Sequence, residues 1–99
     1  MKYPKEYLDE IKTRLKVSTV VSKTVNLKKR GKEFVGLSPF KTEKTPSFTV
    51  NDEKGFYHCF STSEHGNIFD FIMKTQNLKF GEAVKSLANL AGMRPYTFS

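Results

Sequence analysis

Apolar positions along this chain recur with two different periods, and the change of period divides it into helices and strands. Pro4 suits the first turn of a helix, and Tyr7, Leu8, Ile11 and Leu15 follow at helical spacing to about Lys16. Ser18 is placed to cap a short second helical turn carrying Val20 and Val21. Val25 and Leu27 then alternate with Asn26 and Lys28 as in a strand, Lys29-Arg30-Gly31-Lys32 reads as a basic turn, and Phe34-Val35-Gly36-Leu37 reads as the next strand. Ser38 to Pro46 is a loop with prolines towards both ends. Ser47 to Val50 and Phe56 to Phe60 form a hairpin across the polar turn Asn51 to Gly55.

Gly66-Asn67 punctuates the chain again, and Asn67 with Asp70 three residues on predicts a helix carrying Ile68, Phe69, Phe71 and Ile72 and ending near Gln76-Asn77. In the last helix Phe80, Ala83, Val84, Leu87, Leu90 and Ala91 share one face, and Gly92 sits where a C-terminal cap is expected. Residues 94–99 have no period and read as the start of a linker, so the folded unit is expected over 1–93. Helices, a small antiparallel sheet and further helices, in that order, make an α+β domain.

Composition narrows the function classes. Hydrophobic residues make up 37% of the 99, and nine are Phe, enough for one small core without a covalent staple. No stretch approaches the ~20 apolar residues of a membrane span, and the N-terminus lacks a signal peptide's apolar run, so a cytoplasmic location and no membrane partner are expected. Cys59 is the only cysteine, which excludes an intrachain disulfide and a conventional multi-cysteine zinc finger. The net charge is +7, and from Lys23 to Lys44 seven cations face two carboxylates, a local excess of +5. A polyanion is the natural partner.

Four blocks carry a resemblance that covers nearly the whole chain. They are Val25-x-Leu27-Lys28-Lys29-x-Gly31, Gly36-Leu37-Ser38-Pro39-Phe40-Lys41, Glu43-Lys44-Thr45-Pro46-Ser47-Phe48-Thr49-Val50 and Phe56-Tyr57-His58-Cys59-Phe60. In this order and spacing they resemble the N-terminal zinc ribbon of bacterial DnaG-type primases, as does the run Glu64 to Phe71 that follows. The resemblance implies a zinc-ribbon-like antiparallel sheet flanked by helices. The family pattern has Cys-Pro-x-His and Cys-x-x-Cys, because tetrahedral zinc needs four such ligands on two rigid turns. Here the positions read Ser38, Lys41, Cys59 and Thr62, with 17 residues between Lys41 and Cys59. Hydroxyls are weak zinc ligands and an ammonium repels a dication, so no zinc is expected at this site. Lys41 either occupies roughly the metal position, donating to Ser38 and Thr62 with Cys59 close by, or points into solvent. His58 and His65 lie near Cys59, but His58 is expected on the opposite strand face.

The resemblance also implies a role: binding single-stranded DNA template and recognising initiation sites for a primase that makes short RNA primers. Single-strand binding needs cations along the phosphates and flat side chains for the bases. The candidates are Lys28, Lys29, Arg30, Lys32 and Lys44 for the first and Tyr57, His58 and Phe60 for the second. Alternation places Phe56, His58 and Phe60 on one face and Tyr57 and Cys59 on the other, while Phe34 and Phe48 are expected in the core. No catalytic residues are expected, because nucleotidyl transfer needs clustered carboxylates for magnesium, and Asp52-Glu53 and Asp9-Glu10 read as solvated charges. By the same resemblance, magnesium belongs to a polymerase domain that follows, and a replicative helicase would be met through a C-terminal domain beyond it. The rival readings are a stand-alone single-strand-binding or regulatory module and a protein-interaction module whose basic face docks an acidic partner.

Overall fold

The computed structural model describes residues 2–98; Met1 and Ser99, at the ends of the expected domain and linker, lie outside the described residues. Two short helices, α1 (Lys5–Arg14) and α2 (Val17–Val21), precede a sheet of β1 (Lys28–Arg30), β2 (Glu33–Gly36), β3 (Phe48–Asn51), β4 (Phe56–Cys59) and β5 (His65–Gly66). Helices α3 (Ile68–Gln76) and α4 (Phe80–Leu90) follow. The strands pair in chain order, every pair antiparallel, so the sheet is a meander of five. The α+β arrangement read from the sequence is the one observed.

Packing explains the order. One sheet face is covered by α2 and α3, α4 lies on α3, and α1 lies on α4. The core runs from Ile11, Val20 and Val21 through Phe48, Val50, Tyr57 and Phe71 to Val84 and Leu87, all buried. At its centre Tyr57 stacks on Phe48 at 5.4 Å and meets Phe71 edge-on at 5.5 Å. Such ring pairs contribute about 0.5–1.5 kcal/mol beyond their buried area. Phe48 is core as expected, and Phe34 packs on the core's margin.

Three local features differ from the sequence reading. The first strand begins at Lys28 rather than Val25, because the Val25 amide donates to Val21 O at 2.8 Å and so closes α2 instead of joining the ladder. The turn after it shrinks to Gly31-Lys32 between the paired Arg30 and Glu33, with Gly31 at φ +63. Glycine is the residue that takes this conformation without strain. Ser18 does not cap α2 with its own side chain. Its amide and hydroxyl donate to Asp52 at 2.8 and 2.5 Å, so the β3–β4 turn caps this helix and Asp52 is not a merely solvated charge.

Two helix signals hold as read. The Asn67 side chain accepts the Phe69 and Asp70 amides, and Asp70 accepts the Asn67 amide at 2.9 Å, a complete capping box. Gly92 ends α4 at φ +73, with the next amide, Met93, donating back to Ala88 O at 2.9 Å. The segment expected to begin a linker lies against α1: the Tyr7 hydroxyl donates to Arg94 O at 2.8 Å, and the Tyr3 ring is 4.9 Å from Phe98. No helix among the described residues is long and apolar enough to cross a membrane.

Candidate nucleic-acid interface

The strand register sorts the side chains into two faces, since residues directly opposite one another in an antiparallel ladder point the same way. Lys28, Val35, Thr49, His58 and His65 form one row across all five strands, on the face away from the helices. Arg30 and Glu33, then Asn51 and Phe56, form the next row on that face; Asn51 Nδ2 donates to Glu33 Oε2 at 3.3 Å. The outer face therefore has cations at its β1 edge, small polar groups in the middle and aromatic rings at its β4–β5 edge.

The aromatic edge is well exposed. Phe60 is 67% exposed and Phe56 40%, and the His58 ring stacks on Phe60 at 4.3 Å with 17° between planes. Lys28, Lys29, Arg30 and Lys32 are all exposed, and among the described residues none of them forms an ion pair. Lys29 points to the opposite side of β1 from Lys28, with its ammonium 5.9 Å over the Phe34 ring. Lys44, also exposed, lies on the loop after β2. It borders, with Lys28, a cleft of about 530 Å³ walled by Val25, Val35, Leu37, Pro39 and Pro46.

Tyr57 does not join this surface. It was counted among the DNA-contacting residues, but it is fully buried between Phe48 and Phe71, and its place in the alternation turns it inward beside Cys59. Burial pushes its hydroxyl up, against the pull of the Lys74 ammonium, so Tyr57 is a neutral core residue.

The four positions that the resemblance implies for metal ligands hold a different chemistry. Cys59 is buried and its thiol donates to Ser38 Oγ at 3.1 Å, with Ser61 Oγ 3.3 Å away. Burial raises the thiol, but hydrogen bonds from Ser38, Ser61 and Thr62 favour its ionised form and bring it down to about 6. Lys41 is exposed and makes no polar contact with Ser38 or Thr62, so the idea that its ammonium stands in for the metal is overturned. Hydroxyl partners alone would not repay the desolvation of an ammonium. A carboxylate comes in instead. Glu43 accepts the Ser38 amide at 2.9 Å, the Ser47 amide at 3.2 Å and the Ser47 hydroxyl at 2.7 Å. The Ser47 hydroxyl, and after it the Ser38 amide, hold this carboxyl below the usual range.

These residues do not fit zinc. One thiol, hydroxyls and a carboxylate whose oxygens already take three donors are not a tetrahedral set, and the ammonium of Lys41 has no lone pair to offer. Among the described residues no three His, Cys, Asp or Glu groups converge. His58 lies across the sheet from Cys59, and the His65 Nδ1 sits 3.2 Å from Ser63 O. Glu43, Ser47 and Ser61 were missed in the sequence. Their only signal was membership of the Glu43-to-Val50 block, which marks a family and says nothing of which donors Glu43 meets.

Comparison with known proteins agrees with the fold and sharpens the family. The CHC2 zinc finger family matches residues 3–97. The DNA primase of Haemophilus influenzae is 43% identical over 94 residues, 94% of this chain and 16% of that protein. Those of Pseudomonas putida and Escherichia coli are 47% and 46% identical over 91% and 86% of this chain, and 14% and 15% of their own lengths. This chain thus spans about a sixth of the relatives it matches. The crystal structure of the Aquifex aeolicus primase zinc-binding and RNA polymerase domains superposes with a TM-score of 0.83 at 28% identity, over 89% of this chain and 22% of that one. The chain belongs to the CHC2 zinc finger family.

Proposed function

We propose that this domain holds single-stranded DNA template across the outer face of its sheet, as the template-binding and site-recognising part of a primase that synthesises short RNA primers. The observation that carries the reading is the register itself, which places Lys28 and Arg30 on the same face as Phe56 and His58, with Phe60 stacked on the latter. β1 and β4 are three strand spacings apart, about 14 Å, so a short run of nucleotides reaches from the cations to the rings.

The physics suits a weak, strand-selective site. Each base on Phe60, His58 or Phe56 contributes ~1–3 kcal/mol, and a base has a free face only when it is out of a duplex. The phosphates add a salt-dependent term through Lys28, Arg30, Lys32 and Lys44 that reads no sequence. Glu33, the one carboxylate on this face, is engaged by Asn51 and leaves the cationic edge in excess. Recognition of an initiation site rests on the same rings and on the cleft between Lys28 and Lys44.

In this reading the domain holds template and does no chemistry. Asp52 is held by Ser18, Asp9 by Lys12 and Glu10 by Arg14, and among the described residues no three acidic or metal-ligating side chains converge. Nucleotidyl transfer, with its magnesium, belongs to a polymerase domain elsewhere in the parent protein, helicase contact to a further one, and the whole to the cytoplasm where replication runs. Fluorescence anisotropy with a labelled oligonucleotide tests the proposal. Binding to single strands several-fold tighter than to duplex or heparin, weakening between about 50 and 200 mM salt, is the expected result. Equal affinity for all polyanions would remove the template role and leave a basic docking face.

A further inference from the structure

We infer that Glu43 closes the ribbon of this chain through a hydrogen-bonded clasp that needs no cation. A structural metal in a ribbon ties two turns together, and the same two turns are tied here by protein groups alone. Ser38 follows β2, Ser47 leads into β3, and Cys59 and Ser61 stand at the end of β4. Glu43 lies in the loop between the first two and takes the Ser38 amide, the Ser47 amide and the Ser47 hydroxyl, three donors from both ends of its own loop.

The network then crosses to the other turn. Ser47 Oγ, which meets the carboxylate, also lies within hydrogen-bond distance of Ser61 Oγ at 3.0 Å, so the contact reaches the end of β4. The Cys59 sulfur and Ser38 Oγ share a hydrogen bond of 3.1 Å, and Ser38 Oγ also accepts the Phe40 amide at 3.0 Å. Phe40 in turn lies 6.1 Å from Phe48 and 6.0 Å from Tyr57, so the clasp is seated on the aromatic core. The Glu43 carboxylate is thus an anion within a shell of donors, where a metal site has a cation within a shell of anions. The clasp also sets the position of the loop that carries Lys44 to the cleft beside Lys28. It stands on these contacts whether or not that face binds nucleic acid.

The test uses the purified 99-residue chain. Metal content by mass spectrometry, with thermal melts in the presence and absence of EDTA, should show no stoichiometric zinc and a melt unchanged within about 1 °C. Glu43→Gln keeps the shape but turns one oxygen into a donor facing donors, and should lower the melting temperature by roughly 4–8 °C. Ser47→Ala should lower it by less. Lys41→Ala, at an exposed position, should melt like the parent. Amide exchange supplies a readout independent of overall folding: the Ser38 and Ser47 amides should be protected in the parent and fast in Glu43→Gln. Stoichiometric zinc with a chelator-sensitive melt overturns the inference, as does a Glu43→Gln variant that melts and exchanges like the parent.

Discussion

The His58 ring stacks on Phe60 at 4.3 Å, on the sheet face opposite to Tyr57, its immediate neighbour in the chain. One residue of alternation thus separates a ring open to a base from a ring in the centre of the core. Phe60→Ala should leave the melting temperature within a few degrees, since the ring is 67% exposed. It should weaken single-strand binding by ~1–3 kcal/mol, about five- to 150-fold. His58→Ala should act in the same direction and less than additively with Phe60→Ala, because the two rings form one surface. Anisotropy titrations of the two single variants and the double variant decide this.

Lys28 and Arg30 sit at the cationic edge without ion-pair partners among the described residues. Replacing either by Ala should weaken binding evenly across oligonucleotide sequences. It should also flatten the plot of log affinity against log salt by about 0.7 per charge for a single strand. A loss of affinity with an unchanged salt slope would remove that residue from the phosphate path.

The Tyr57 hydroxyl is buried with no hydrogen-bond partner among the described residues, so it contributes desolvation cost and little else. Tyr57→Phe should therefore be neutral or stabilising, within about 1 kcal/mol in chemical denaturation, and should leave DNA binding unchanged. A large loss of stability would show that the hydroxyl has a partner in solution.

Cys59 is lowered from 9.0 to about 6 in the fold, the net result of burial raising it and hydrogen bonds from Ser38, Ser61 and Thr62 outweighing that. A lowered value stabilises the fold above the unfolded-state value and ceases to do so as pH falls through the folded one. Melting temperature should thus rise with pH between 6 and 9 by more than it does in Cys59→Ser. Glu43 follows the same sign at lower pH: its contribution is present above its ordinary 4.5 and is lost on acidification below it. Parallel melts of the parent, Cys59→Ser and Glu43→Gln across this range separate the two groups, and parallel curves for all three would refute both assignments.

The ribbon's frame should still accept a metal if the ligands are returned. The triple variant Ser38→Cys, Lys41→His, Thr62→Cys, with Cys59 retained, should bind one zinc per chain. Its melt should become chelator-sensitive, since such sites contribute ~10–16 kcal/mol of apparent folding free energy. Absence of zinc from the triple variant would mean that these four positions no longer converge.

Much of this domain was legible because its signals are local. Asn67 with Asp70 and the glycine at 92 act within one helical turn, so the ends of α3 and α4 follow from neighbouring residues alone. Alternation along Phe56 to Phe60 separates an outer set from an inner set, though it does not say which set is which. Tyr57 was the cost: the helices choose the inner face, and they chose its side. β5 is two residues long and has no period to read; it exists because β4 offers it a ladder.

The candidate site divides in the same way. The basic stretch and the aromatic strand are properties of composition and period, and the sequence by itself determined that both exist, that zinc lacks its ligands and which family's frame they occupy. Tertiary structure alone decided that Lys28 and His58 share a row, that Asp52 caps α2, that Lys41 is exposed and that Glu43 stands at the centre of the clasp. Each of those depends on how distant turns or neighbouring strands are brought together, and an ion settles where its desolvation is best repaid, which no spacing along the chain encodes.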